Sequence, residues 1–250
     1  MAWAIDLDGV MWLGDEPIAG SARAVVRLQK AGVPVLFVTN NSSARIGEVE
    51  DKLATHGVDA QGMVVSSAVA AATLVEPGER VLVCGGPGVV EAVGARGAAV
   101  VEGGPADAVI VGFTRAFDFD LLTAATLAVR GGARLVGTND DPTYPTPMGQ
   151  IPGGGALVAA VATASETEPV IAGKPHAPMV ELVRRRLGPN GVMVGDRMST
   201  DGRFASALGY RFVLVESGVT SVGAGAVDGA WRVSPDLATA VDEVASQGEL

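Results

Sequence analysis

Cysteine is almost absent from this chain, with one thiol, Cys84, in 250 residues. A single thiol cannot close an intrachain disulfide and leaves no cysteine set for a zinc site; it points to a reducing, cytoplasmic setting. Positive charge is outnumbered, 18 basic residues against 28 acidic ones, for a net charge of −10. A nucleic-acid backbone would be repelled by such a surface, which argues against nucleic acid as a partner. A small phosphorylated ligand stays open, because a few local cations and a bound metal can dominate a site whatever the global sign. No run of about 18 uninterrupted apolar residues occurs, so no membrane span is expected. The opening MAWAIDLDGV lacks a basic region leading into a long apolar run, so no secretory leader is expected either. Low-complexity segments and convincing repeats are missing. Gly85-Gly86-Pro87-Gly88 fails as a dinucleotide fingerprint, because the frame starting at Gly86 meets Glu91 at its last position.

What the chain has is alternation. Hydrophobic residues make up 48% of it, enough for a well-buried core, and they fall in short apolar runs separated by amphipathic stretches. Strands are expected at 2–7, 33–38, 64–65, 81–84, 108–111, 134–137, 192–194 and 212–215. Helices are expected at 21–31, 43–56, 67–74, 88–95, 120–130, 156–164, 178–187, 201–208 and 235–245. The run Val33–Val38 suits a strand buried on both faces. The spacing of Ala22, Val25, Val26 and Leu28 suits a helix that Gly32 ends. Strand and helix in alternation predict an α/β fold with a mainly parallel, Rossmann-like sheet. The break at Glu76-Pro77-Gly78-Glu79 and the change of character after Gly173 predict one domain interrupted by another. The core would be residues 1–74 and 174–250, with an inserted α/β domain over 75–173.

Three of the expected strands end in polar or acidic segments. Asp6-Leu7-Asp8-Gly9 follows the first. Residues two apart on a strand share a face, so Asp6 and Asp8 would project together at the carboxyl end of a buried strand, where open α/β sheets bind ligands. Carboxylates so close repel one another, and magnesium, which takes hard oxygen ligands and bridges to phosphate, would relieve that repulsion. A solvated Asx turn is the plainer alternative. Thr39-Asn40-Asn41-Ser42-Ser43 follows the second strand and offers hydroxyls, amides and backbone N–H groups ahead of a helix. That suits phosphate, or plain helix capping by Ser42 or Ser43. Val192-Met193-Val194-Gly195 leads into Asp196, a carboxylate placed as Asp6 is; Asp201, five residues on, could cap the next helix. Lys174 lies in extended or loop chain, because the residue before a proline avoids the helical region. There it could neutralise a phosphate and a carboxylate, or be solvated. Trp3, Trp12 and Trp231 read as packing residues.

In this order, Asp-x-Asp, Thr-Asn, Gly-Lys-Pro and Gly-Asp resemble the haloacid dehalogenase-like (HAD) superfamily. Thr138-Asn139-Asp140-Asp141-Pro142 and Ile151-Pro152-Gly153-Gly154-Gly155-Ala156-Leu157 extend the likeness along nearly the whole chain. They resemble subfamily IIA, the branch of para-nitrophenylphosphatases, pyridoxal phosphatases and glycerol-phosphate or phosphoglycolate phosphatases, which carries a C2-type α/β cap. The resemblance implies a magnesium-dependent phosphatase acting on small phosphate monoesters. It implies Asp6 as the nucleophile that forms an aspartyl-phosphate, and Asp8 as the group that protonates the leaving alcohol and then activates water. The magnesium ligands it implies are the Asp6 carboxylate, the Asp8 backbone carbonyl and the Asp196 carboxylate, with Asp201 holding metal-bound water or orienting Lys174. Thr39 and Asn40, with Asn41 nearby, would bind the phosphoryl oxygens, and Lys174 would balance charge on Asp6 and phosphate. Tyr144, in the cap loop 141–149, would touch substrate, and that loop resembles the glycerol-phosphate subgroup's. The partner implied is a small phosphorylated metabolite, with two chains pairing through the cap. A phosphotransferase or mutase using the same aspartyl-phosphate, and a phospho-ligand-binding protein without catalysis, are the other functions these residues allow.

Overall fold

Element by element, the chain runs through β1 (Ala2–Ile5), β2 (Trp12–Leu13), β3 (Glu16–Pro17), α1 (Ser21–Lys30), β4 (Val35–Thr39), α2 (Ile46–Thr55), β5 (Val64–Ser66) and α3 (Ser67–Ala72). It continues through β6 (Arg80–Cys84), α4 (Pro87–Ala95), β7 (Ala99–Val101), β8 (Ala108–Val111), α5 (Phe119–Arg130), β9 (Arg134–Gly137), β10 (Thr143–Thr146), β11 (Gly149–Pro152) and α6 (Gly154–Ser165). The last stretch holds β12 (Val170–Ile171), α7 (Ala177–Leu187), β13 (Gly191–Gly195), α8 (Arg203–Leu208), β14 (Arg211–Val215), β15 (Arg232–Ser234) and α9 (Leu237–Ser246). The computed structural model describes residues 1–146, 149–218 and 227–248. Pro147 and Met148, part of the expected substrate loop, lie outside the described residues.

Contacts divide the chain into two compact units. The first comprises Met1–Thr39, Gly47–Val65 and Lys174–Leu250, and the second Asn40–Ile46 and Ser66–Gly173. The first unit is built on a six-stranded sheet in the order β15-β14-β13-β1-β4-β5, parallel from β15 through to β4. β1, β4 and β13 are buried at every position, which is why they read as unbroken apolar runs rather than alternating ones. Helix α1 buries Ser21, Ala24, Val25 and Leu28, a stripe at helical spacing, and packs on α9, while α7 packs on α8. From β1 the chain moves out one way to β4 and β5, then returns to the other side of β1 for β13, β14 and β15. The order therefore reverses beside β1, and such reversal points are where open α/β sheets leave a ligand crevice at the carboxyl ends of their strands.

The second unit has a five-stranded parallel sheet, β12-β9-β8-β6-β7, and a separate antiparallel hairpin of β10 and β11. Its core gathers Leu82, Cys84, Val109, Val111 and Leu135 from the sheet with Ala125, Val129, Val158 and Val161 from α5 and α6. Burial pushes the Cys84 thiol up to about 12, so it packs as a small apolar residue. This unit contains residues 75–173, and contacts also group 40–46 and α3 with it. The reason lies in packing: α3 lies against α4, and the Ser43 carbonyl accepts the Gly88 N–H at 2.9 Å. Ser43 does not cap a helix. α2 starts only at Ile46, whose N–H goes to a Glu91 carboxylate oxygen at 3.0 Å. No described helix is long and apolar enough to cross a membrane.

Side chains in the central strands and at the helix starts should differ in what they contribute. Phe37 of β4 is fully buried, and Phe37→Ala is expected to lower the unfolding free energy by about 3–5 kcal/mol. Asp236 accepts the Thr239 N–H at 2.7 Å as the N-cap of α9, and Asp236→Ala should cost only about 1 kcal/mol. Urea unfolding of both variants measures the two values; equal losses would show that the sheet is not the centre of the core.

Candidate active site

Asp6 is the first residue beyond β1, and its N–H donates to Val194 O of β13 at 2.9 Å. Asp196 is the first residue beyond β13. Register pairs Ile5 with Val194 on one side and with Phe37 on the other. Asp6, Asp196 and Thr39 therefore come to the carboxyl ends of three adjacent parallel strands. Asp201 arrives differently. Between Met198 and Gly202 the chain makes one π-helical turn, in which the N–H groups of Asp201 and Gly202 both donate to Arg197 O, at 2.8 and 3.1 Å. The extra residue in such a turn re-aims the side chains around it. Here Asp201 does not cap the following helix, whose N-cap is Gly202. Its Oδ2 accepts the Arg197 N–H at 3.2 Å and its Oδ1 accepts Lys174 Nζ at 2.7 Å.

Lys174 links the set, with its Nζ 2.9 Å from Asp6 Oδ1 and 2.7 Å from Asp201 Oδ1. Relative exposures are 8% for Asp6, 2% for Lys174, 2% for Asp196 and 1% for Asp201. Asp6, Asp196 and Asp201 each offer a carboxylate oxygen, and these oxygens lie within 4.8 Å of one another. Three buried carboxylates and one buried ammonium therefore share a small volume. The consequences show in the ionisation of the group. Burial, opposed by Lys174 but reinforced by repulsion from Asp201 and Asp196, holds the Asp6 carboxyl well above the usual carboxylate range. Burial works against the charge on Lys174, yet Asp201 and Asp6 outweigh it and raise its basicity further. A hard divalent cation fits this donor set: oxygen ligands only, close together, with an excess of negative charge that a cation would neutralise.

Two glycines make the packing around Asp196 possible. Gly9 has φ +83°, and a Cβ there would stand 2.4 Å from Asp196 Oδ2. At Gly218, beyond β14, a Cβ would stand 2.1 Å from the same oxygen. Ser217 ties the two segments together, its Oγ donating to Gly9 O at 2.7 Å.

Comparison with known proteins identifies the family. The haloacid dehalogenase-like hydrolase model matches residues 3–99, and a HAD-hydrolase-like model matches residues 171–240. The acid sugar phosphatase of Staphylococcus saprophyticus is 36% identical over 227 residues, covering 88% of each chain. The chain belongs to the haloacid dehalogenase-like hydrolases. Among solved structures, the para-nitrophenyl phosphatase of Archaeoglobus fulgidus superposes with a TM-score of 0.90 at 27% identity, over 97% of this chain and 98% of that one. The glycerol phosphate phosphatase of Mycobacterium tuberculosis in complex with magnesium gives 0.84 at 35% identity, over 95% of this chain and 75% of that one.

The remaining expected residues of this HAD hydrolase are placed as follows. Asp8 does not share a strand face with Asp6, because β1 stops at Ile5 and the chain turns sharply. Asp6 is buried whereas Asp8 is exposed, and the Asp8 carboxylate accepts Trp12 Nε1 at 3.0 Å. Thr39 is buried as the last residue of β4. Asn40 falls in the second unit, where its Nδ2 donates to Asp141 Oδ2 at 3.1 Å and its carbonyl accepts Ser67 Oγ and Asn139 Nδ2 at 2.7 and 2.9 Å. Asn41 Oδ1 accepts the Ser43 N–H at 2.9 Å, an Asx turn. Tyr144 is exposed on β10, its ring 5.4 Å from that of Phe113. Gly218 carries no motif of its own; in the sequence it is signalled only as a glycine shortly after the apolar run 212–215.

Two outcomes follow from the buried charge. An acid whose folded value is raised binds more protons folded than unfolded, so stability falls as pH climbs from the unfolded value toward the folded one. Magnesium should therefore raise the melting temperature more at about pH 7.5 than at about pH 4.5, up to about 3 kcal/mol at saturating ion; a pH-independent increment in a thermal-shift titration would contradict it. Gly218→Ala should push Asp196 aside and weaken magnesium binding about 10- to 100-fold by calorimetry, with the fold retained.

Proposed function

We propose that this hydrolase cleaves small-molecule phosphate monoesters with magnesium, through an aspartyl-phosphate on Asp6. The observation that carries the reading is the Asp6–Lys174–Asp201 chain beside Asp196: a carboxylate, immobilised by a buried ammonium, at the reversal point of a parallel sheet. The Asp6 and Asp196 carboxylates and the Asp8 carbonyl would hold magnesium, which would supply positive charge for the phosphoryl oxygens. An Asp6 carboxylate oxygen attacks phosphorus; the new O–P bond forms as the ester O–P bond breaks, and Asp8 gives its proton to the departing alcohol. In the second half, Asp8 takes a proton from water as that water attacks phosphorus. The Asp6–phosphorus bond then breaks, releasing inorganic phosphate and the free carboxylate. Lys174 balances charge on Asp6 and the phosphoryl group throughout, which suits a reaction whose transition state spreads charge over three oxygens. Asp201, bonded through both oxygens, holds Lys174 in line. Thr39, Asn40 and Asn41 are the groups assigned to the phosphoryl oxygens, and Tyr144 the one assigned to the rest of the substrate.

The core of residues 1–74 and 174–250 with a cap at 75–173 belongs to the same reading, as do small phosphorylated metabolites as the substrates. Glycerol-phosphate-like compounds are favoured by the resemblance of the loop at 141–149 to that subgroup's. Pairing of two chains through the cap is a further part of the reading, supported by the solvent-facing Phe119 and Leu127 on α5. A cytoplasmic location is supported by the single buried thiol.

Para-nitrophenyl phosphate with magnesium should release phosphate, and Asp6→Asn should lower turnover by at least about 1,000-fold while still binding the ion. Full activity in Asp6→Asn, measured by phosphate release, would remove the nucleophile assignment.

A further inference from the structure

Asp8 is an exposed carboxylate on a surface turn, yet its side chain is tied down. Beyond β1, Leu7 O accepts the N–H groups of Val10 and Met11 at 3.2 and 2.8 Å, and Gly9 N–H donates to Trp12 O at 2.8 Å. This closes the turn so that the residue four places after Asp8 comes back alongside it. The indole Nε1 of Trp12 then donates to Asp8 Oδ1 at 3.0 Å. The ring that does so is itself immobile: Trp12 is 4% exposed, and Lys52 Nζ of α2 lies 4.3 Å from its ring centroid. The His56 ring lies 6.4 Å from the indole. Lys52 also donates to Gly14 O at 2.8 Å, which fastens the β2–β3 hairpin to α2. Two further bonds hold the hairpin base, Ile18 N–H to Met11 O at 3.0 Å and Ser21 Oγ to Val10 O at 2.8 Å.

We propose that Trp12 is a positioning residue for the proton delivered to the leaving group, acting through Asp8. The inference rests on the reading of Asp8 as proton donor. An indole N–H is a donor only and carries no charge. It can hold a carboxyl group in one orientation without taking its proton and without neutralising it, as a lysine in the same place would do. Bonded at Oδ1, it leaves Oδ2 as the oxygen that carries the proton to the ester oxygen. An exposed aspartate without that tether would spread over several rotamers, and proton transfer depends on reach and alignment.

Leaving groups separate this role from a structural one. An alkoxide needs a proton as it departs; para-nitrophenolate does not. In Trp12→Phe, kcat/KM for an alkyl phosphate such as glycerol 3-phosphate is expected to fall about tenfold or more, and that for para-nitrophenyl phosphate less than about twofold. An equal loss on both substrates would overturn the proposal. Asp8→Asn should show the same discrimination more strongly. If it loses both substrates equally, the proton-donor role of Asp8 fails on its own account, whatever Trp12 does. A second measurement does not depend on Trp12→Phe folding. The chain has three tryptophans, and Asp8→Asn should shift one of their three indole N–H signals in the proton–nitrogen spectrum; three unmoved signals would mean that the hydrogen bond is absent and would overturn the proposal as well.

Discussion

An imbalance of buried charge organises this protein. Asp6, Asp196 and Asp201 are withdrawn from water, and one ammonium, Lys174, is withdrawn with them. Burying charge is costly unless each group is paired and hydrogen-bonded. Asp201 meets that condition fully, with a donor on each oxygen. Asp6 meets it through Lys174 and the Leu7 N–H at 2.8 Å. A cation bound among these carboxylates would neutralise negative charge and let a phosphoryl group approach. Burial and the neighbouring carboxylates still disfavour the charge on Asp6, and a further cation would relieve that cost.

Such an arrangement needs a rigid frame, and the parallel sheet is one. Strands buried on both faces cannot slide without exposing apolar surface, so the residues immediately after β1 and β13 are held in register by Ile5 opposite Val194. The connections do the fine aiming. The π-helical turn at Met198–Gly202 brings Asp201 to Lys174, the missing side chains of Gly9 and Gly218 leave room for Asp196, and the turn after Asp6 brings Asp8 to the Trp12 indole. Two neighbouring aspartates therefore occupy opposite environments, one buried against lysine and the other exposed and tethered.

Much of the sheet was legible in the sequence because its strands are long apolar runs: 33–38, 81–84, 108–111 and 212–215 all lie on or within a residue or two of observed strands. The strands that escaped are β2, β3, β7, β10, β11, β12 and β15, two to four residues each. They form by pairing with a neighbour already in place or as hairpins, and such short pieces carry no periodic signal of their own. The alanine-rich α3 carries no boundary signal of its own; its contacts with α4 group it with the second unit.

By itself, the sequence determined which residues could do chemistry: the acids and the lysine follow apolar runs, and that order along the chain carried the family. It also determined the alternation that makes a parallel sheet, since buried strands and amphipathic helices are written in residue spacing. Tertiary structure alone decided how those residues divide the work. Asp8 left the strand face that alternation assigned to it because β1 ended three residues earlier, Asp201 pairs with Lys174 rather than capping the next helix, and Trp12 packs as expected while its indole N–H also bonds Asp8. Each depends on where a turn closes, which is set by contacts between segments far apart in the chain, and local sequence does not encode those distances.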